Sequence, residues 1–194
     1  MDESVAERIG MVNDVLERLT ARRVERIVID GPLAKSKIAW KVATYAEALL
    51  YRVVALANGC AVNWNRNDAL VSVLAARALV ETVAVLMDLD RRLEDLLDKE
   101  DLAGINALIM NRSFSTRDED WLKNYPDAKA VNVLTIIEGV DENHDLEGML
   151  SGYHASLSEL CHPNRDGHLG LFGTLDTKTG ETTYSVTNYR PLLG

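Results

Sequence analysis

Apolar residues recur at helical spacing along most of this chain. Val5, Ile9, Val12, Leu16 and Leu19 follow Ser4-x-x-Glu7, a capping-box spacing, and predict a helix to about residue 25. Asp30-Gly31-Pro32 breaks it. Two denser stretches follow. Sixteen of the 20 residues in 38–57 are apolar, and 15 of the 19 in 69–87. A helix apolar on nearly every side is buried on most of them. These two helices, from about 34 to 58 and from 69 onward, are therefore expected as the central pair. The connection 59–67 suits an antiparallel turn, with Asp68 as N-cap.

The second of these helices continues through Leu89, Leu93, Leu96 and Leu97 as a more exposed extension. Its residues 88–101 hold seven acidic and three basic side chains, the composition of a solvated face. Asp101 is placed to cap a short helix through Met110. Thr116-x-x-Glu119 is a second capping box, and Asp127 a cap for a helix carrying Val131, Val133, Leu134, Ile136 and Ile137. Residues 146–162 carry a stripe of Leu146, Met149, Leu150, Tyr153, Leu157, Leu160 and Cys161, ended by Pro163. After a turn at 164–167 the period shortens. Residues 170–176 and 181–188 alternate like strands around Thr177-Lys178-Thr179-Gly180. The expectation is a mainly α fold: an antiparallel helical bundle with a C-terminal β-hairpin. The whole of 1–194 is read as one domain, with 164–194 a turn-and-hairpin appendage.

Composition narrows the class. With 47% hydrophobic and 26% charged residues the chain is neither disordered nor collagen-like. Its net charge of −9 is spread unevenly, the first third slightly basic and the remainder strongly acidic. That balance disfavours a duplex nucleic-acid binder, which needs a concentrated basic face. The two cysteines, Cys60 and Cys161, make no disulfide framework. The polar, acidic N-terminus has no signal-peptide pattern. Both apolar helices carry charges (Lys41, Glu47 and Arg52; Arg77 and Glu81) that a bilayer would penalise. The reading is a cytoplasmic protein with no membrane association.

Two constellations can carry chemistry. Arg77 and Glu81 are the only formal charges in 69–87, and i, i+4 spacing puts them on one helix face. Each needs a partner if buried, and Glu47 and Arg52 are the available second pair. A buried network fixing helix register and a site inside the bundle are both consistent with this. The second constellation is Tyr153-His154-x3-Ser158-x2-Cys161-His162-Pro163-Asn164-Arg165-x2-His168, which holds three of the four histidines. His154, Ser158 and His162 line one flank of their helix. His162 sits at the helix C-terminus, where the dipole favours a cation, so it suits acid, base or phosphate-contact work. It can equally be a plain C-cap. Glu159-x-x-His162 has no second copy, and the zinc spacings, Walker A, Gly-x-Gly-x-x-Gly and Gly-x-Ser-x-Gly are all absent. No metal and no cofactor are expected.

Arg77-x3-Glu81 followed by Tyr153-x4-Ser158-x3-His162-Pro163 resembles a group of uncharacterised bacterial helical proteins. Through them it is loosely similar to HEPN domains. The resemblance spans residues 77–162 and implies a helical bundle, often dimeric. In many HEPN domains it also implies a ribonuclease of toxin–antitoxin or phage-defence systems. Those ribonucleases carry Arg, four to six residues, then His, and no Arg stands at that distance here.

The leading expectation is therefore a module that binds a protein partner or small ligand without catalysis, as a homo-oligomer. The alternative is a metal-independent HEPN-like ribonuclease acting on RNA. Its catalytic set would be His162 as acid/base with Arg77 or Arg165 on phosphate. Glu81, Tyr153, Ser158 and His168 would be the ligand contacts. The hairpin's Leu171, Phe172, Leu175, Tyr184 and Val186 offer apolar area to a second copy.

Overall fold

The computed structural model describes residues 3–185. The chain runs α1 (Glu3–Arg22), α2 (Gly31–Lys35), α3 (Lys37–Asn65), α4 (Ala69–Asp98), α5 (Leu102–Phe114), α6 (Glu119–Asn124), a 3₁₀ turn at Pro126–Ala128, α7 (Val133–Asn143) and α8 (Met149–Cys161). A π-helical turn, Arg165–Gly170, leads into the hairpin β1 (Gly173–Leu175) and β2 (Thr182–Tyr184). The fold is mainly α, and helices pack on helices throughout.

The two apolar stretches are the central pair. Helices α3 and α4 pack along most of their length, and α5, α7 and α8 flank α4. One core cluster joins Ala84 of α4 to Ile136, Ile137 and Val140 of α7 and Leu150 of α8. A second joins Leu49 of α3, Leu89 of α4 and Ile109 of α5. Ala84 lies by Leu150 while Glu81 lies by His154, so α4 and α8 run antiparallel. By length and composition α4 could cross a membrane; in the fold it packs against α3, α5, α7 and α8.

Several boundaries differ from the sequence expectation, each for a local reason. Helix α1 stops at Arg22, because Val24 turns to donate its N–H to Glu47 Oε1 (2.8 Å) and its carbonyl accepts from Tyr51 Oη (3.3 Å). Glu47 is thus spent on the α1–α3 connection and does not pair with Arg52. Ser4 lies inside the first turn of α1, where its hydroxyl accepts from Arg8. The Asp30-Gly31-Pro32 break is followed directly by the five-residue α2, which Pro32 opens as proline can in a first turn. Helix α3 runs on to Asn65 and α5 on to Phe114.

Asp68 and Asp101 cap α4 and α5 as expected, accepting from Val71 N and Gly104 N. The other two caps shift. Asp118, not Thr116, accepts from Trp121 N at the start of α6, while Thr116 Oγ1 accepts from Asp118 N. Asn132, not Asp127, caps α7. Residues 165–170 are helical rather than turn. Asn164 Oδ1 accepts from Asp166 N and Gly167 N, and its amide donates to Glu159. The hairpin pairs Gly173 with Tyr184, Thr174 with Thr183 and Leu175 with Thr182.

Candidate functional site

Helix α8 turns most of the stripe read in the sequence inward and leaves one edge of it in solvent. Leu150 and His154 are buried, and Leu157, Ser158 and Cys161 are half-buried, whereas Met149 and Tyr153 are exposed. The helix is rotated toward the flank beside the stripe, so that His154, 5% exposed, meets the Arg77–Glu81 turn of α4 in place of Tyr153.

His154 Nε2 lies 3.0 Å from Glu81 Oε1. A carboxylate only accepts, so Nε2 carries the proton and donates. Arg77 Nε stands 3.2 Å from the same oxygen, with about a third of each side chain still exposed (32% and 28%). The Arg77 Nε–H is not aimed at that oxygen, and Nε is buried without a hydrogen bond. One turn further along the antiparallel pair, Ser158 comes level with Arg77, and Ser158 Oγ is also buried and unpartnered. On the other side of α4, Arg52 of α3 donates Nε to Thr82 Oγ1 (3.0 Å), and Thr82 in turn donates to Ala78 O (2.7 Å). Polar groups from α3, α4 and α8 therefore meet at one level of the bundle. The arrangement can hold helix register and position a proton on His154. It presents no pairing of a nucleophile with a base.

The structure brings Arg77 and Glu81 together through His154, buries Ser158 Oγ one turn along α8, and leaves the other expected residues apart. His162 is the C-cap of α8 and donates its backbone N–H to Ser158 O (3.1 Å), with its side chain exposed. It stands about 12 Å along α8 from His154, eight residues at helical rise. Arg165 is 84% exposed on its side chain and bonds its neighbour Asp166 (2.9 Å). His168 and Tyr153 are exposed. The catalytic trio His162, Arg77 and Arg165 is thus divided between the interior register network and the open end of α8.

His154 completes the network. The sequence placed it on the same flank as Ser158, and the missing signal was which flank faces α4.

A second charged centre lies where a solvated acidic face was expected. Asp88, 6% exposed, accepts from Arg112 Nη2 of α5 (2.6 Å) and from Arg92 Nε (2.9 Å). Arg112 is itself 7% exposed on its side chain. Nearby Tyr45 has its phenol pKa pushed up by burial, against an opposing pull from the Arg112 charge.

No protein-family model, curated protein or solved structure matches this chain.

Proposed function

We propose that this chain is a non-catalytic helical binding module whose partner, a second copy of the chain, sits on the apolar face of α1. One observation carries the reading: the chain exposes far more surface than a compact monomer. Its accessible area is 13590 Å² for 21.5 kDa. Size scaling for folded monomers gives roughly 9,200 Å², and full exposure of every undescribed residue adds only about 1,800 Å². Helix α1 is exposed along nearly its whole length. Its C-terminal end is pinned to α3 through Val24 and Tyr51, while Val5, Ile9, Val12 and Val15 are exposed along its outer turns. An amphipathic helix with its apolar stripe in water is an incomplete element.

The hairpin is a poorer surface for association than the sequence suggested. Leu171 is buried and Phe172 half-buried within the chain's own fold, leaving Leu175 and Tyr184 outward; Val186 lies outside the described residues. A cytoplasmic setting belongs to the same reading, supported by Cys60 and Cys161 both being free thiols. Sedimentation equilibrium at tens of micromolar tests the association: a dimer is expected, and a monomer removes the second-copy reading.

RNA cleavage is the competing reading, favoured by the exposure of His162, Arg165 and His168 within one short segment. A mixed RNA pool incubated in chelator with wild type and with His162→Ala decides it. Equal rates, or no cleavage by either, support the binding module. Loss of cleavage in the variant at unchanged melting temperature overturns it.

A further inference from the structure

The last turns of α4 and the facing side of α5 border an open cleft of about 500 Å³, within the size range of small-molecule sites. Arg91, Arg92, Lys99 and Arg112 line it, with Asp95 as the carboxylate on its wall. Asp88 stands behind them. Its Oδ2 accepts from Arg112 and its Oδ1 from Arg92, while Arg91 Nη2 is 3.7 Å from Oδ1 and Arg91 Nη1 donates to Asp95 (2.8 Å). Four cations thus meet three carboxylates, Asp88, Asp95 and the Asp101 that caps α5 beside Gly104, a local excess of one positive charge in a chain of net −9. The exposed acids of the same run, Asp90, Glu94 and Asp98, do not line the cleft.

Donor capacity is left over. Arg112, more than nine-tenths buried, gives Nη2 to Asp88 and keeps its Nε out of solvent's reach, so the donors open to the cleft are those of its neighbours. Arg92 gives only Nε to Asp88, and Lys99 forms no ion pair among the described residues. A buried carboxylate that fixes guanidinium groups without neutralising them preorganises an anion site, since the planar forks match phosphate oxygens in pairs. Leu96, Leu108 and Val131 supply an apolar wall beside the charges.

We propose that this cleft binds a small organic phosphate, its dianion held by Arg91, Arg92 and Lys99, with Arg112 fixing Asp88 behind them, and its carbon skeleton against Leu108 and Val131. The site lies on a different face from α1 and does not depend on self-association. Phenyl phosphate is the probe, titrated into the full chain by calorimetry, with sodium chloride at matched ionic strength as control. Saturable binding is expected for wild type. Lys99→Glu, a charge reversal at an exposed position, should weaken it at least tenfold with an unchanged melting temperature. Arg92→Gln should weaken it similarly while circular dichroism stays native. Heats indistinguishable from the chloride control overturn the proposal, as do wild-type affinities in both variants.

Discussion

Glu81 Oε1 is shared by His154 at 3.0 Å and Arg77 at 3.2 Å, so one oxygen ties α4 to α8. Removing a fully buried ion-pair partner costs about 3–5 kcal/mol. Here about a third of the Arg77 and Glu81 side chains reaches solvent, which screens the charges, so Glu81→Ala should cost about 1–3 kcal/mol by urea denaturation. A loss under about 0.5 kcal/mol would mean the network contributes no more than an exposed surface pair. Gly167 gives a sharper test. A methyl group there would collide with the His162 carbonyl oxygen, backbone that cannot swing away. Gly167→Ala should therefore lower stability by at least the roughly 1–3 kcal/mol of an overpacked site, and a melting temperature equal to wild type would refute the close approach. The Arg77–Glu81 pair was legible in the sequence because two charges in an otherwise apolar helix need partners. Asp88 was not. It sits at the head of an acidic run, and only tertiary packing, by placing Arg112 of α5 against it, separates this buried carboxylate from the exposed acids that follow it.

Helix α8 shows how an element can depend on a residue far from its own start. Its N-cap is Gly148, with φ of 77° and no side chain to accept the first N–H groups. Asp141, buried near the end of α7, does so instead. Its carboxylate accepts from Leu150 N (2.9 Å), Ser151 N (2.8 Å) and Ser151 Oγ (2.6 Å). Burial raises the Asp141 pKa, but the bonds from Ser151 and Leu150 together outweigh it and hold the carboxyl below its ordinary 3.8. A carboxyl depressed in the folded state stabilises fully above its unfolded value and loses that contribution as pH falls through the folded one. The acid limb of stability should therefore steepen below pH 3.8. Asp141→Asn should flatten that limb while lowering stability at neutral pH, read from melting temperatures at a series of pH values. A limb identical to wild type would assign acid sensitivity elsewhere, Asp176 being the other carboxyl held down, by Lys178 and Thr179. Element identity was readable wherever apolar density was high, as in α3 and α4. Element ends were not, since Thr116 and Asp118, or Asp127 and Asn132, are equally good caps until a neighbour chooses between them. The exact facing of α8 was open for the same reason: its apolar side packs inward, but whether Tyr153 or His154 meets α4 depends on α4.

At the scale of the whole molecule, the α1 stripe was read correctly as amphipathic, and the structure leaves its outer turns without a surface to cover them. Periodicity shows that a helix has an apolar face; it carries no information on whether the same chain supplies the partner. The surplus surface, roughly 2,600 Å² after allowing for the undescribed residues, exceeds the ~800 Å² that each member of a standard interface contributes. Self-association that buries this stripe is a ligand to the folded state, so it must raise the melting temperature with protein concentration. From a concentration near the dissociation constant to a hundred times above it, the linkage amounts to about 2 kcal/mol, or roughly 4–8 °C for a chain of this size. Ile9→Glu combined with Val12→Glu should abolish that dependence. Both positions are already exposed in the single chain, so the variant should melt at the temperature wild type shows when dilute. Scanning calorimetry over two decades of concentration separates the outcomes. A wild-type midpoint that does not move would show that the partner covering α1 is not another copy of this chain. A variant melting well below dilute wild type would show that Ile9 and Val12 support the fold of the single chain, and that their exposure is not free surface.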